Sequence, residues 1–373
     1  MSLLFKFSEL ESAPQAQGRM CGQLAIEAAK AEAFGKPLPA AMMRSLARVL
    51  PQVPAIYAQL EAWPGDLAYD AVTFRLNAGL HALARSGRVS GLKELFLPGQ
   101  ASHVPAGKSL DAAVLEALAD HGDHMLGWLA RPTQTNEVAR VAGLVATLLE
   151  LSRRDRFACE VLELGASAGL NLNFPHYSIE LGGITAGAAI SSVKLRPEWR
   201  GQAVAARSLT VHQTRGVDLH PVDLADTAAR TRLRCYIWPG EHQRSVRLDA
   251  AVALAEHRMP RVDKGRASTW LEAELAEPQL AGVRRVVFHS MVLQYITAQE
   301  RAHIESAFAA AGANATKERP LARVSMEWSA DRSQVELTVR QWCGAKDDGM
   351  PVIAAICHPY GEWFDWAGLR LDS

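Results

Sequence analysis

The sequence predicts an α/β protein: a mostly parallel sheet that ends in antiparallel strands and is preceded by an all-helical N-terminal domain. Three observations point there. Residues 1–132 show almost no strand-like alternation, only amphipathic runs punctuated by Pro and Gly. After Arg156 short apolar segments alternate with helical ones, the pattern of parallel strands joined by crossovers with helices on both faces. The last three candidate strands are separated only by short turns, SADRS and CGAKDDGM, which fit an antiparallel meander.

In chain order, GQLAIEAAKAEAF stops at Gly35, and Pro37 and Pro39 bar its continuation. AAMMRSLARVL precedes Pro51, DLAYDAVTFRLNAGLHALARSG closes on Gly87, and SLDAAVLEALADHGDHMLGWLA runs to Pro132. These helices define a cap domain over 1–132, with an α/β domain over 133–373. NEVARVAGLVATLLELSRR opens the second domain as a helix, with Thr135 placed to cap its free amides. FACEVLELG is a short apolar strand buried on both faces. LTVHQTRGVDL, MPRVDKG, VRRVVFHSMV, LARVSMEW, VELTVRQW and VIAAICH follow as strands. AARTRLRCYI, SVRLDAAVALAEH, ASTWLEAELAE and AQERAHIESAFAAAG are the intervening helices. Between the first two strands FPHYSIELGGITAGAAISSVKLRPEWRG reads as an insertion at about 175–208, a β-hairpin and loop.

Lys plus Arg and Asp plus Glu are both 40, so the formal charge is zero and no electrostatic footprint for nucleic acid or an anionic membrane exists. The five cysteines are scattered, with no C-x-x-C pair, which predicts neither a zinc site nor a disulfide framework. His121 and His124 flank Asp123, but no third ligand is signalled. MSLLFKFSELESAPQ lacks the apolar segment of a signal peptide. VAGLVATLLEL, among the longest apolar stretches, falls short of the roughly 18 residues that span a bilayer. The expectation is a cytoplasmic protein acting on a small molecule, with no nucleic-acid or membrane partner. The oligomeric state is not legible.

The segment VLELGASAGLNLNF (161–174) carries the chemistry, and GASAG fits two kinds of site. As G-x-S-x-G it matches a nucleophile elbow presenting Ser167, with Glu327 and His358 following in triad order. Such an elbow needs a sheet built upstream and an oxyanion loop before it, and the residues preceding Ser167 look helical. As E-x-G-x-x-x-G it matches a cofactor loop. Gly165 allows the sharp turn after the strand, Gly169 the close approach of a ligand, and Ser167 is a small turn residue or donor. Gly169 sits where the next helix would begin, and exposed amides at that helix N-terminus, where Asn171 lies, favour an electron-rich ligand group. A carboxylate at Glu163 repels a pyrophosphate and suits a cationic ligand, which points to S-adenosylmethionine and away from a dinucleotide. Asp218, ending the second strand, is the candidate for the ribose hydroxyls, although 53 positions (218 − 165) separate it from Gly165 against roughly 20 in ordinary units.

QTNEVAR, ELGASAGLNLNF, GVDLHPVDLAD, RLRCYIWP and VVFHSMVLQYI resemble an uncharacterised bacterial family, domain of unknown function 2332. The likeness extends over nearly the whole chain, including LHALARSG and CHPYGEW. The family looks like a Rossmann-like class I methyltransferase fold with a helical N-terminal extension, and its activity is not established. The resemblance therefore implies a fold more firmly than a reaction. It also supports a ligand-facing role for Asn136, Glu137 and Arg140, although Glu137 and Arg140 at i, i+3 equally suit a solvated ion pair. Two features depart from methyltransferases at large. Arg266 and Ala267 stand where an acidic residue often meets adenine, so Asp263 would have to serve, and SADRS leaves no room for a helix between the fifth and sixth strands.

Methyl transfer from a sulfonium needs mainly in-line positioning, with a general base for a hydroxyl, thiol or ammonium acceptor. Both belong beyond the C-terminal ends of the parallel strands. His289 and Ser290 end the fourth strand, and Gln294 and Tyr295 begin the next helix, so His289 is the leading base and Glu327 the second catalytic candidate. A buried histidine satisfied by its surroundings is the competing reading. A non-catalytic interaction module on the same fold stands beside the enzyme and hydrolase readings.

Overall fold

The computed structural model describes residues 18–96 and 107–369, so the N-terminal MSLLFKFSELESAPQ lies outside the described residues. They fall into two compact units: residues 136–225 with 247–369, and 18–135 with 226–246.

The helical unit contains α1 (Arg19–Ala33), α2 (Pro37–Val49), α3 (Pro54–Glu61), α4 (Val72–Arg85), α5 (Ser90–Phe96), α6 (Gly107–Asp120) and α7 (Gly122–Leu129). Their apolar stripes meet in one core that includes Leu24, Leu46, Leu76, Leu80, Val114 and Met125. A further helix, α9 (Thr227–Cys235), arrives from later in the chain, capped by Asp226 through a 2.8 Å bond from the Ala228 amide. Cys235 and Tyr236 pack with Ala78 and Trp128, and Trp238 joins the main helical core. Asn77, fully buried on α4, donates to the Cys235 and Ile237 carbonyls. AARTRLRCYI therefore builds the helical unit, although strand–helix alternation makes it look like a crossover.

The other unit is α/β. After α8 (Val141–Leu151) the chain forms β1 (Ala158–Leu164), β2 (Ser178–Leu181), β3 (Ile184–Gly187), β4 (Lys194–Leu195), β5 (Glu198–Gly201) and β6 (Val211–Asp218). Then come α10 (His242–His257), β7 (Val262–Lys264), α11 (Ala267–Ala276), β8 (Val283–Ser290), α12 (Ala298–Ala313) and β9 (Leu321–Trp328). The chain ends in β10 (Val335–Trp342), β11 (Val352–Cys357) and β12 (Trp363–Trp366). The nine-stranded sheet has the order β5-β12-β11-β10-β9-β8-β1-β6-β7. From β9 through β7 every pairing is parallel; β9, β10, β11 and β12 pair antiparallel, and β5 joins β12 in parallel. The predicted antiparallel meander is present, with residues 329–334 alone between β9 and β10. The insertion supplies the expected hairpin, β2 to β3, turning on Gly182 and Gly183 at φ 57° and 97°.

Strand β1 is central, and six of its seven residues are buried, Glu160 and Glu163 among them. Leu162 and Leu164 point to one face and pack with Leu271 of α11 and Ile304 and Phe308 of α12. Residues 161 and 163 therefore face the other side. There α8, buried at every position, packs on the sheet, and Gly143 admits Leu337 and Phe364. Helix α12 is N-capped by Thr297, whose hydroxyl accepts from the Glu300 amide at 3.2 Å. Among the described residues no helix is long and apolar enough to cross a membrane.

Candidate functional site

The chain runs outward from β1 to β6 and β7 on one side, then returns to β8 and β9 on the other. In open α/β sheets such a reversal marks where ligand sites form, here beyond the C-terminal ends of β1 and β8. Beyond β1 three residues take the left-handed conformation: Gly165 (φ 68°), Ser167 (φ 54°) and Gly169 (φ 71°). A left-handed Ser costs about 1–2 kcal/mol. Asp218, at the end of β6, offsets that cost: its Oδ2 accepts the Ser167 amide and its Oδ1 the His220 amide, both at 2.8 Å. Asp218 thus clamps the loop, and a carboxylate with both oxygens so used still has lone pairs for further donors. In place of a crossover helix, a 3-10 segment, Leu170–His176, follows with Pro175 inside it. Asn136 Oδ1 caps that segment at the Leu170 amide, 3.1 Å away.

What comes close to the two glycines is protein. A Cβ at Gly165 would lie 2.5 Å from Val292 Cγ2, and one at Gly169 2.6 Å from Val262 Cγ2 and 2.8 Å from Pro260 Cβ. Their missing side chains are therefore already needed for packing. Gly169→Ala should lower stability by about 2–4 kcal/mol, combining left-handed strain with overpacking. Urea denaturation reads this as a lower midpoint at unchanged slope; an unchanged midpoint would show that the loop relaxes around a methyl group.

Glu163 lies on the face opposite α11 and α12, fully enclosed. Its Oε1 accepts from Asn171 Nδ2 at 2.9 Å, whereas its Oε2 and Asn171 Oδ1 have no hydrogen-bond partner among the described residues. Burial pushes the Glu163 carboxyl up to about 8; Asn171 and the Arg140 guanidinium oppose the shift and the Asp218 carboxylate adds to it. The sequence leads one to expect a standing negative charge at 163. Burial corrects this: the carboxyl keeps its proton at neutral pH, and a cation placed against it would displace that proton.

QTNEVAR reaches the same region. Glu137, buried, caps the 3-10 turn Val138–Arg140 through the Ala139 amide at 3.3 Å, so Glu137 and not Thr135 does the capping. Its ion-pair partner is Arg247 of α10, with Nη2 at 3.1 Å from Oε1. Arg140 instead donates from Nε to the Pro359 carbonyl at 2.8 Å. Both contacts reach far beyond the i, i+3 spacing of the two residues.

At the end of β8, His289 is fully buried and both ring nitrogens are engaged. Arg323 Nε–H donates to Nε2 at 3.0 Å, which fixes the proton on Nδ1, and Nδ1 donates to Glu327 Oε1 at 2.7 Å. Burial first, and the Arg323 guanidinium with it, lower the imidazole's proton affinity; Glu327 works the other way. Its basic lone pair thus faces Arg323. Glu327 Oε1 also accepts the Val292 and Leu293 amides, at 3.0 and 3.4 Å, and so pins the turn that lies over Gly165. Ser290 is half-buried at the last position of β8, opposite Met326. Gln294 and Tyr295 do not begin a helix: they sit in a 3-10 turn, Leu293–Tyr295, and α12 starts only after Thr297. Gln294 donates to the Met291 carbonyl, and Tyr295 is exposed. For the elbow reading, Glu327 orients His289, while His358 Nδ1 accepts the Tyr360 amide at 3.2 Å. Arg247 and Arg323 are the two participants that sequence reasoning missed. Arg323 had a signal, a charged residue inside an apolar strand.

Asp263, on β7, already holds Arg215 Nε at 2.6 Å and Trp270 Nε1 at 2.8 Å. Among the described residues no group of three His, Cys, Asp or Glu is placed to hold a metal ion. Fold and site define an α/β protein with a large, mostly parallel sheet and a polar site beyond its strand ends. The chain belongs to the family described as an uncharacterized protein conserved in bacteria (DUF2332), whose model matches residues 23–366. No curated protein and no solved structure matches it.

Proposed function

We propose that this protein binds S-adenosylmethionine beyond β1 and β6 and transfers its methyl group to a small molecule. The observation that carries this reading is the pair of oxygens without a hydrogen-bond partner among the described residues, Glu163 Oε2 and Asn171 Oδ1, next to the glycine turn. Buried polar atoms left unpaired are costly, and a ligand ammonium that takes the place of the Glu163 proton supplies both oxygens with N–H groups. Asp218, with lone pairs to spare, suits ribose hydroxyls. The strand order β7-β6-β1-β8-β9, with an antiparallel neighbour beyond β9, supports a Rossmann-like methyltransferase sheet. When bound, such a ligand supplies a methyl group whose bond to sulfur breaks as the bond to the acceptor forms. The protein's part is then binding and alignment, because the imidazole of His289 already takes a hydrogen bond from Arg323.

A second reading, a non-catalytic interaction module on this fold, is favoured by Val292 lying over Gly165. Calorimetric titration with S-adenosylhomocysteine separates the two. Saturable binding, together with S-adenosylhomocysteine released by denaturing mass spectrometry from freshly purified protein, is expected. No heat up to millimolar ligand would leave only the module.

A further inference from the structure

Among the described residues, four other than glycine hold the left-handed conformation: Ala71, Ser167, Met291 and Arg332. Ser167, Met291 and Arg332 come just after β1, β8 and β9, at the C-terminal ends of parallel strands. Strained backbone gathered at one end of a sheet marks segments that clamp a ligand or move. Asp218 accounts for Ser167, and the other two bear on the turn Met291–Tyr295. Met291 (φ 56°) starts it, its amide donating to the Met326 carbonyl at 2.9 Å. Val292 follows, with Cγ2 2.5 Å from where a Cβ at Gly165 would stand, so the turn rests on bare glycine backbone. Its apolar packing is thin: none of Leu293, Gln294 and Tyr295 is buried. Polar ties take over. Glu327 Oε1 accepts the Val292 and Leu293 amides, and Gln294 Oε1 meets Arg332 Nη2, from the β9–β10 turn, at 3.5 Å. A segment with few buried apolar atoms and a strained first residue opens at far lower free energy than the sheet beneath it.

We propose that Met291–Tyr295 is a lid over the glycine turn, hinged at Met291 and latched by Glu327, and that Val292 must leave Gly165 before a ligand reaches that backbone. The ligand is the adenosyl compound of the preceding reading, on which this part rests, whereas the lid itself shows without any ligand. The lid also reconciles Val292 over Gly165 with a binding site. The covered state is the resting one, and it lowers apparent affinity by the fraction of molecules whose lid is shut.

Hydrogen exchange read by mass spectrometry on the full chain tests the lid, and calorimetry with S-adenosylhomocysteine tests what it covers. In the parent, amides 292–296 should exchange faster than those of β1 and β8. Glu327→Gln replaces a charged acceptor with a neutral one. It should speed amides 292–296 a further three- to tenfold, on the order of one weakened hydrogen bond, and leave β1 and β8 alone. Val292→Ala removes the γ-methyl groups from Gly165 and should bind S-adenosylhomocysteine about tenfold more tightly than the parent. Amides 292–296 as slow as those of β8, or faster exchange everywhere in Glu327→Gln, would overturn the lid. Unchanged or weaker binding by Val292→Ala, with the parent binding, would overturn its part in ligand entry. Fast exchange governed by Glu327, with no binding by either protein, would keep the lid and remove the adenosyl reading. Binding with a slow turn would do the reverse.

Discussion

Replacing Glu163 with Gln should make the protein more stable than its parent at pH 8 and leave the two nearly equal near pH 4. The sign follows from linkage. The buried carboxyl titrates at about 8 against an ordinary 4.5, so between those values the folded chain keeps a proton that the unfolded chain has lost. Folding stability therefore falls as pH rises through that window, and levels off above it. At 1.36 kcal/mol per unit the penalty reaches on the order of 4–5 kcal/mol by pH 8. Glutamine keeps the carbonyl that accepts from Asn171 Nδ2 and has no proton to lose. Urea midpoints from pH 4 to 9 check this. Parallel curves for parent and variant would mean that Glu163 is hydrated and that the enclosed site does not exist.

Truncating Glu327 to Ala should cost about 3–5 kcal/mol, the scale of breaking a buried charge-assisted network. The single oxygen Oε1 accepts from His289 Nδ1, Val292 N and Leu293 N, so the change strands an imidazole donor and two amides at once. Arg323 would keep its bonds to His289 and Glu305, so the deficit falls on the turn lying over Gly165. Glu327→Gln should cost much less, because a carbonyl oxygen can still receive those donors. Equilibrium denaturation of both variants is the measurement. A loss below about 1 kcal/mol for the alanine would show that water substitutes for the carboxylate, and with it that the turn is wet.

What could be read from the sequence was local. Gly165 and Gly169 were legible because a left-handed turn after a buried strand needs residues without side chains. The meander was legible because SADRS is too short for a helix. Asp218 was legible as a strand end, but its grip on the Ser167 amide depends on the parallel pairing of β1 with β6. Pairings across long stretches of chain were not legible. Spacing suggested Glu137 with Arg140, and only the folded chain brings Arg247, 110 positions away, to Glu137. His289 looked like a free base because Arg323, two positions into the next strand of the sheet, is placed against it only by the register of β8 with β9. The contact of Asn171 with Glu163, eight positions apart, exists only once the chain folds back on the strand end.

The helical unit draws on two separate stretches, 18–135 and 226–246, with β1 and β6 encoded between them. A ribosome making this protein therefore releases α1 to α7 long before it releases α9, and the surface that receives Cys235, Tyr236 and Trp238 stays uncovered meanwhile. No single cut in the chain excises either unit intact. Limited proteolysis near residue 135 should thus leave a nicked protein held together by α9, not two separable fragments.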